Sequence, residues 1–359
     1  MPKQRRTTDK PARAPAVRAA LRRDPAAREI AGSWRILTGG GRGRDGERRT
    51  LLACSGGTDS AALVLALASH AQVPGSLVVG HVVHDLRPRS QTLPERDRAK
   101  NLASRVGLAF AEAEIRTRTT PGNAEANARS ARYAALAGMA RAHACAFVAT
   151  AHQGDDLLET VLMRLLRGTG PRGLVGIHES RPLAPGITLI RPMLGVTRAD
   201  AERLCTLAGW KPNDDPSNRD VTRLRARLRR DVLPVLRDLA PGVHERVRET
   251  SRCMAAAVSV LDAALLDHAG EEAAQVGVTA MTRARARAMP GALLAEVLRD
   301  RVRKAGGSLD RLPARTIARV CTVIQGPGTD PKVCRLPGVD VHVTARSVTL
   351  TPCTADARS

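Results

Sequence analysis

The run LLACSGGTDSAALVLALA constrains the fold of this chain more than any other segment. It spans residues 51–68, where an apolar strand-like stretch leads into Ser-Gly-Gly-Thr-Asp-Ser and then directly into a helix-like stretch. Gly56 and Gly57 can adopt positive φ values, which lets backbone N–H groups approach phosphate oxygens, and the start of the following helix attracts anions. The order of strand, Gly-rich loop and helix therefore predicts a pyrophosphate site.

The carboxylate within this loop predicts a cation as well. Asp59 lies two residues after the second glycine, and Mg²⁺ prefers carboxylate and phosphate oxygens as ligands. We therefore expect ATP and Mg²⁺ as cofactors, with Asp59 as the metal ligand. No Lys follows the glycines as in the P-loop, and the dinucleotide-binding G-x-G-x-x-G is absent, which weighs against a kinase or a dehydrogenase. A Gly-rich turn without a ligand is the alternative.

Strand-like and helix-like segments alternate from residue 50 to about residue 209. The predicted helices include residues 123–142, 155–167 and 198–208, each preceded by a short apolar segment. Such alternation predicts a parallel sheet that is covered by helices on both faces. Ligands of these sheets bind beyond the carboxyl ends of the strands. Because Ser55, His81, Thr150 and Arg191 fall at such ends, we expect them around one pocket.

Composition narrows the class of partner. The formal net charge is +22, which predicts a polyanionic partner more than a small acid. Aromatic residues make up only 1% of the chain, so base contacts would depend on phosphate pairing and guanidinium stacking. The seven cysteines form no C-x-x-C pair, which weighs against zinc, an iron–sulfur cluster and a disulfide framework. The chain has no apolar stretch of membrane-spanning length, so we expect a cytoplasmic protein without a membrane partner.

The chain divides into four predicted regions. Residues 1–48 are rich in Arg, Pro, Ala and Gly and predict a basic disordered arm. The catalytic domain spans 49–216 and ends in the turn-forming run KPNDDPSNRD, which predicts a linker. Helical periods rich in Arg and Ala predict a helical domain over 217–304. Alternating valines in VDVHVTARSVTL predict a small hairpin within a C-terminal α/β segment and tail, 305–359.

Two polar clusters fall on the predicted helices. Arg129 and Arg132 share a helix face with Glu125, which fits an ordinary ion-pair ladder as well as a functional site. The segment TAHQGDDLLET carries His152 and three carboxylates within about two helical turns. Metal binding, binding of a cationic substrate and helix capping are all compatible with this cluster. Helix capping would account for one Asp but not for Glu159. Carboxylates clustered in this way suit a lysine ammonium group.

The motifs occur in the order of a known family. SGGTDS resembles the signature of the N-type ATP pyrophosphatases. The whole series resembles the tRNA(Ile)-lysidine synthetase family, and the resemblance covers residues 51–236 and continues loosely beyond. It consists of SGGTDS, HVVHDLRP, NAEANARSARY, TAHQGDDLLETVLMRLLRGTGPRGL, RPMLGVTRAD and DDPSN followed by an Arg-rich helix. The resemblance implies a parallel-sheet N-type ATP pyrophosphatase domain, adenine nucleotide α-hydrolase-like, followed by a helical substrate-binding domain that binds tRNA.

The resemblance also implies an activity. The family adenylates O2 of the wobble cytidine in tRNA(Ile) with a CAU anticodon, and the amine of free L-lysine then attacks C2 and expels AMP. A homodimer is a further expectation. In this chain the residues that would bind ATP are Ser55, Gly56, Gly57, Thr58, Asp59, Ser60 and His84. The residues that would be catalytic are Asp59, Arg132, His152, Asp156 and Glu159, and those that would bind substrates are Arg129, Asp155, Arg225 and Arg229.

Some residues depart from the family pattern, and other functions compete with this one. Val83, Asp85 and Ala226 stand where the family usually has a polar residue, Gly and Asn. A tRNA thiolase of the same superfamily would carry C-x-x-C pairs. GMP or NAD synthesis would need an amidotransferase domain or ammonia and would not explain the charge. A degenerate tRNA-binding member would have lost its acids, and Asp59, Asp156 and Glu159 are all present.

Overall fold

The structure of the chain is a computed structural model. It describes residues 14–40, 45–85, 89–116, 124–211, 224–272, 280–307 and 312–353. The predicted linker over 211–220 lies almost wholly outside the described residues. Within the described part, no helix is long and apolar enough to cross a membrane.

Helices and strands alternate through the first two thirds of the described chain. The strands are β1 (Thr50–Ala53), β2 (Leu77–His84), β3 (Ala109–Ile115), β4 (Phe147–Ala149), β5 (Ser180–Ala184), β6 (Ile187–Ile190), β7 (Ala280–Thr282), β8 (Lys332–Leu336), β9 (Val339–Val343) and β10 (Ser347–Pro352). The helices are α1 (Ala14–Arg23), α2 (Pro25–Leu37), α3 (Thr58–His70), α4 (Arg89–Val106), α5 (Ala124–Ala142), α6 (Gly154–Arg167), α7 (Pro171–Leu174), α8 (Arg198–Leu207), α9 (Leu224–Arg227), α10 (Leu233–Leu239), α11 (Val243–Glu272), α12 (Arg283–Ala288), α13 (Gly291–Lys304) and α14 (Ala314–Gln325).

The chain packs as two compact units. The first comprises residues 1–160 and 177–248, and the second comprises residues 161–176 and 249–359. The division passes through α6 and α11, so it differs from the predicted boundaries at 216 and 304. Residues 224–248, which we assigned to the helical domain, pack with the first unit.

The first unit contains a six-stranded sheet with the order β3-β2-β1-β4-β6-β5. All neighbouring pairs are parallel except β5 with β6. From β1 the chain builds outward to β2 and β3, then returns to place β4 on the other side of β1. The gap between the carboxyl ends of β1 and β4 is therefore a topological switch point, where open α/β sheets bind ligands. The predicted parallel-sheet α/β domain is confirmed, and the antiparallel edge strand β5 was not predicted.

Alternation along the strands creates a core on each face of this sheet. Leu52, Val79 and Ile190 point to one face, where they join buried residues of α2, α3, α4 and α8. Their neighbours Leu51 and Val78 point to the other face and pack with the buried residues of α5. A parallel sheet needs helices on both faces because both faces are apolar. These two layers hold the strand ends, and hence the loops after them, in fixed positions.

The N-terminal disordered arm was a wrong prediction for residues 14–40 and for residues 45–48, where Asp45 and Arg48 are buried. The side chain of Asp24 caps α2 by accepting from the backbone N–H of Ala26 at 2.9 Å. Ile30 and Trp34 are fully buried against the first core, and the indole N–H of Trp34 donates to Thr50 Oγ1 at 3.0 Å. Composition favoured disorder, yet the apolar residues of α2 recur at helical spacing and cover one face of α3.

Arginines of α1 also contribute to this packing. Arg22 Nε donates to the carbonyl of Ser69 at 2.8 Å, and Arg18 Nε donates to the same carbonyl at 3.3 Å. The last turn of a helix leaves carbonyl groups without partners, and cations are favoured there. Part of the basic charge of this region therefore caps the end of α3. Residues 1–13 lie outside the described residues, and their disorder stays a prediction.

The second unit contains a four-stranded antiparallel sheet with the order β7-β10-β9-β8. The predicted hairpin is β9–β10, in which Val343 pairs with Val348 and Val341 pairs with Leu350. The valines that alternate in the sequence point into a core shared with α13 and α14. Sequence reasoning missed the outer strands β7 and β8 because β7 has three residues and β8 carries mostly exposed side chains.

Candidate active site at the switch point of the sheet

The loop after β1 has the predicted positive φ at Gly56 but not at Gly57, whose φ is −84°. Gly56 has φ of +85°, and a Cβ atom at this position would lie 2.9 Å from the backbone oxygen of Glu95. Both observations require glycine. Gly57 then caps α3, which begins at Thr58. The first N–H groups of α3 therefore face the loop without partners in the helix, as an anion site requires.

The two serines of the loop have different roles. Ser60 is buried, and its hydroxyl accepts from the backbone N–H of Ser55 at 3.1 Å and donates to the carbonyl of Gly57 at 3.0 Å. Ser60 thus holds the loop in shape rather than presenting a free hydroxyl. Ser55 is exposed, and its hydroxyl lies 3.2 Å from that of Ser60. Of the two predicted phosphate ligands, Ser55 is the one that can reach a ligand directly.

Asp59 connects the loop to the segment after β4. Its Oδ1 accepts a hydrogen bond from Gln153 Nε2 at 3.2 Å. Burial and the nearby charge of Asp156 together raise the pKa of Asp59 to about 6, against the influence of Arg198 and Arg229. A buried carboxylate that is repelled by a neighbouring carboxylate gains from a bound cation. The donor set at Asp59 therefore fits Mg²⁺ held jointly with phosphate oxygens.

Asp156 and Glu159 extend this acidic cluster along α6. Asp156 Oδ2 accepts from the backbone N–H of Gln153 at 3.1 Å, which caps the start of the helix. Burial raises the pKa of Asp156, with opposing contributions from Arg225 and the hydrogen bond from Gln153. Glu159, one turn further on, is fully buried. One oxygen of Asp156 is thus used for capping, and the remaining carboxylate oxygens form an anionic pocket.

Two arginines occupy that pocket. Arg225 Nε donates to Glu159 Oε2 at 2.6 Å and its Nη2 donates to Asp156 Oδ1 at 2.9 Å. Arg229 Nε donates to Glu159 Oε1 at 2.6 Å and its Nη2 reaches Asp156 Oδ1 at 3.3 Å. The two arginines are four residues apart across α9 and the π-helical turn Leu228–Val232, so they project from one face. We call Asp156, Glu159, Arg225 and Arg229 the acidic pocket and its arginines.

Asp155 is directed elsewhere. Its Oδ2 accepts from the backbone N–H of Arg198 at 3.1 Å, at the start of α8, and Oδ1 lies 2.7 Å from Arg237 Nη2. The carboxylate is almost completely buried. These contacts tie the start of α6 to the start of α8 and favour a structural role for Asp155, although we had predicted that it binds substrate.

His152 lies among cations. Its Nδ1 is 3.0 Å from Thr150 Oγ1. Burial, together with the charges of Arg191, Arg129, Arg225 and Arg132, lowers the pKa of His152 to about 3. The imidazole is therefore neutral at neutral pH and serves as a hydrogen-bonding group, because so low a pKa makes it a poor proton acceptor. The charges of Arg129 and Arg132, predicted from their shared helix face, act on His152, and their role in the site stays a prediction.

Two other predicted positions lie at the same edge of the sheet. His84 is the last residue of β2. His81 is buried, and its Nδ1 lies 2.7 Å from the carbonyl oxygen of Cys54, so it supports the loop from behind.

Sequence reasoning did not assign a role to three residues that belong to this site. Gln153 lies inside the TAHQGDD motif, where it is uncharged and its charged neighbours give the stronger signal of a site. Tyr133 is the one tyrosine of the chain, a signal that could have singled it out. Arg181 lies on the unpredicted edge strand β5, and nothing in its sequence context marks it.

Comparison with known proteins agrees with this geometry. Residues 35–236 match the PP-loop domain family. The fold and the site agree with this match, because the Gly-rich loop lies between β1 and α3 at a switch point of the sheet. A tRNA(Ile)-lysidine synthase of Salinispora arenicola is 41% identical over 218 residues, which cover 59% of this chain and 64% of that one. A tRNA(Ile)-lysidine synthase of Methylobacterium nodulans is 34% identical over 317 residues, which cover 84% of this chain and 89% of that one.

The chain belongs to the tRNA(Ile)-lysidine synthase family of PP-loop proteins. A further relative with this name, from Thermobifida fusca, is 37% identical over 268 residues, which cover 74% of this chain and 80% of that one. The chain spans just under two thirds of the length of some relatives, such as 63% of the Nostoc protein and 64% of the Salinispora arenicola protein.

Proposed function

We propose that this chain is a ligase that joins L-lysine to C2 of the wobble cytidine in tRNA(Ile) with a CAU anticodon, at the expense of ATP. The observation that carries the proposal is the contact between Asp59 and Gln153. It brings the pyrophosphate loop and the acidic pocket together at one switch point. A nucleotide site beside a site for an ammonium group is the arrangement that this two-substrate reaction needs.

The first step is adenylation. Cytidine O2 attacks the α-phosphorus of ATP, the bond to the bridging oxygen breaks, and pyrophosphate leaves with its electron pair. The N–H groups at Gly57 and the start of α3, together with the hydroxyl of Ser55, would hold the β- and γ-phosphates. Mg²⁺, held by Asp59, would supply charge neutralisation at those phosphates. Arg129 and Arg132 support this step because they carry positive charge at the carboxyl end of the sheet.

The second step is attack by the amine. A lysine amine is protonated at neutral pH, so a base must accept a proton before the nitrogen bonds to C2 and AMP departs. Asp156 is the acceptor we propose, because its pKa is raised by burial and its side chain is partly accessible, at 15%. Asp156 shares these arginines through one oxygen, whereas Glu159 is fully buried and both of its oxygens accept from them. His152 is too weak a base.

Lysine and the two arginines compete for the same carboxylates in this proposal. An ammonium group that enters the acidic pocket takes the place of one or more guanidinium contacts on Asp156 and Glu159. Arg225 and Arg229 are then available to contact the RNA backbone, as their position in an Arg-rich helix predicts. We place the reaction in the cytoplasm, and we carry the homodimer forward as a prediction that light scattering on the purified protein would test.

The test is incorporation of labelled lysine. The purified protein is incubated with ATP, Mg²⁺, labelled L-lysine and a CAU-anticodon tRNA(Ile) transcript, beside a methionine tRNA and an Asp59→Ala variant. We expect label in the isoleucine tRNA alone and none with the variant. Release of AMP that depends on tRNA, without incorporation of label, would retain the adenylation and point to another nucleophile. No release of AMP would contradict the proposed function.

A further inference from the structure

The tyrosine of the site is contacted by two arginines from different elements. The ring centroid of Tyr133, on α5, lies 5.3 Å from Arg129 Cζ and 5.0 Å from Arg181 Cζ. Both distances are within the range of cation–π attraction. Arg129 Nη2 also donates to the Tyr133 hydroxyl at 3.3 Å. The aromatic ring thus holds two guanidinium groups together that would otherwise repel each other.

A third guanidinium beside them is buried. Arg191 follows β6 and is only 4% exposed, and its Nη1 donates to the carbonyl of His178 at 2.5 Å. Its Nε is buried and has no hydrogen-bond partner. Burial lowers the pKa of Arg191, and the charges of Arg181 and Arg129 lower it further against the influence of Tyr133. The structure thus retains a buried cation with an unused donor, which is costly unless an anion balances it.

No carboxylate provides that balance in the described part of the chain. Arg129, Arg132, Arg181 and Arg191 form no ion pair with any described Asp or Glu, and we call these four residues the cationic cluster. The other buried arginine described in the same unit is Arg48, and it is paired with a carboxylate. Arg48 lies 2.9 Å from Asp45. The cationic cluster is therefore an exception within its own unit.

We infer that the cationic cluster is a binding subsite for an oxyanion, which the guanidinium groups contact through their N–H donors. Arg191 lies at the carboxyl end of β6, and His152, whose pKa is lowered by the charges of three of these guanidinium groups, follows β4. This is the edge at which ligands of such sheets bind. Planar guanidinium groups suit carboxylate and phosphate equally because both present paired oxygens.

Apart from the phosphates of ATP, which the loop after β1 would hold, the proposed function supplies two sources for this oxyanion, and in this respect the inference rests on it. One is the carboxylate of free lysine. The other is a phosphodiester beside the wobble cytidine. Equilibrium binding separates them without any turnover. The probes are L-lysine, 1,5-diaminopentane as the analogue without a carboxylate, a CAU stem–loop RNA, and the same RNA with uncharged methylphosphonates on both sides of the cytidine.

The variants are Arg181→Gln and Arg191→Lys, and the matched control is Arg141→Gln. Arg141 is an exposed arginine of α5, so the control removes the same charge from the helix that carries Tyr133. Arg191→Lys keeps a positive charge and removes the paired N–H donors of the buried guanidinium group. Circular dichroism reports whether this variant folds. Should it not fold, Arg181→Gln decides the question, because Arg181 is only half-buried on β5.

We expect Arg181→Gln to weaken the binding of either L-lysine or the unmodified stem–loop by about tenfold or more, which is the scale of a lost charge-assisted hydrogen bond. The matching probe without the oxyanion should lose little further affinity, and Arg141→Gln should bind as the wild type does. A loss confined to L-lysine identifies the carboxylate, and a loss confined to the stem–loop identifies the phosphodiester. Changes in affinity below about twofold for every probe would overturn the inference. So would wild-type protein that binds neither L-lysine nor the unmodified CAU stem–loop. Failure of lysine incorporation with normal probe binding would instead count against the proposed function.

Discussion

The acidic pocket and the cationic cluster lie in the same unit and treat buried charge in opposite ways. The carboxylate of Glu159 is fully buried and contacts both Arg225 and Arg229. The guanidinium of Arg191 is nearly as buried, and it contacts a backbone carbonyl and Tyr133 while the charges of Arg181 and Arg129 act on it. Internal ion pairing stabilises the first region when no ligand is bound. The second region is left with excess positive charge, so an anionic ligand gains most there.

The largest effect on stability is expected at Glu159. Glu159→Gln removes the charge that two guanidinium groups share, and breaking a buried pair leaves the partner uncompensated. Since the side chains of Arg225 and Arg229 remain 49% and 33% exposed, water offsets part of the loss. We expect the free energy of unfolding to fall by about 2–3 kcal/mol. Urea denaturation measures it, and a fall below about 1 kcal/mol would show that the pairs contribute little.

Removal of the charge of Asp59 should raise the free energy of unfolding, whereas removal of the charge of Glu159 should lower it. The pKa of Asp59 in the folded chain is about 6, so the folded state binds a proton more readily than the unfolded chain between about pH 4 and pH 6. Stability therefore falls as the pH rises through this window, and the cost is complete above it. We expect Asp59→Asn to be more stable than the wild type by about 2 kcal/mol at pH 7.5, without ATP or Mg²⁺, and to lose this advantage near pH 4.

Urea denaturation at the two pH values checks this prediction. The activity of Asp59→Asn should be lost even though the protein is more stable, since the asparagine amide cannot replace the carboxylate as a Mg²⁺ ligand of full charge. A variant that is less stable than the wild type at pH 7.5 would show that the negative charge of Asp59 is compensated in the folded state.

The cationic cluster should tolerate removal of charge. Arg191→Met forfeits the hydrogen bond to His178 but also ends the burial of a charge that is repelled by its neighbours. We expect the lost hydrogen bond and the relieved burial of charge to offset each other, so that the unfolding free energy changes by less than about 1 kcal/mol. Thermal and urea denaturation measure it. A loss above about 3 kcal/mol would mean that Arg191 is internally compensated like Glu159 and would remove the contrast between the two regions.

The smallest effect is expected at a surface pair that calibrates the others. Glu202 lies 3.1 Å from Arg198 on α8, and both side chains are well exposed, at 57% and 37%. We expect Glu202→Gln to change the unfolding free energy by less than about 0.5 kcal/mol, because exposed pairs are screened by water and salt. The effect should shrink further in 1 M NaCl. An effect as large as that of Glu159→Gln would show that burial is not what separates the two cases.

Much of the first unit follows from local sequence patterns. The predicted helices over 123–142, 155–167 and 198–208 agree with α5, α6 and α8 to within one residue at each end, because Gly-rich turns and apolar periods delimit them. The left-handed Gly56 was predictable from the loop. The wrong prediction for residues 14–40 arose from composition: Arg and Pro obscured an apolar stripe that includes Ile30 and Trp34.

The sequence by itself determined the chemistry that is available: a pyrophosphate loop with a carboxylate, a group of acids on one helix, and an excess of arginine. Only the tertiary structure decided how those charges combine. It directs Asp155 toward α8, pairs Glu159 with arginines about 70 residues away along the chain, and leaves Arg191 among cations. The physical reason is that helix spacing and turn chemistry act over a few residues, whereas the neutralisation of a buried charge depends on whichever distant side chain the packing of the sheet and its helices brings within reach.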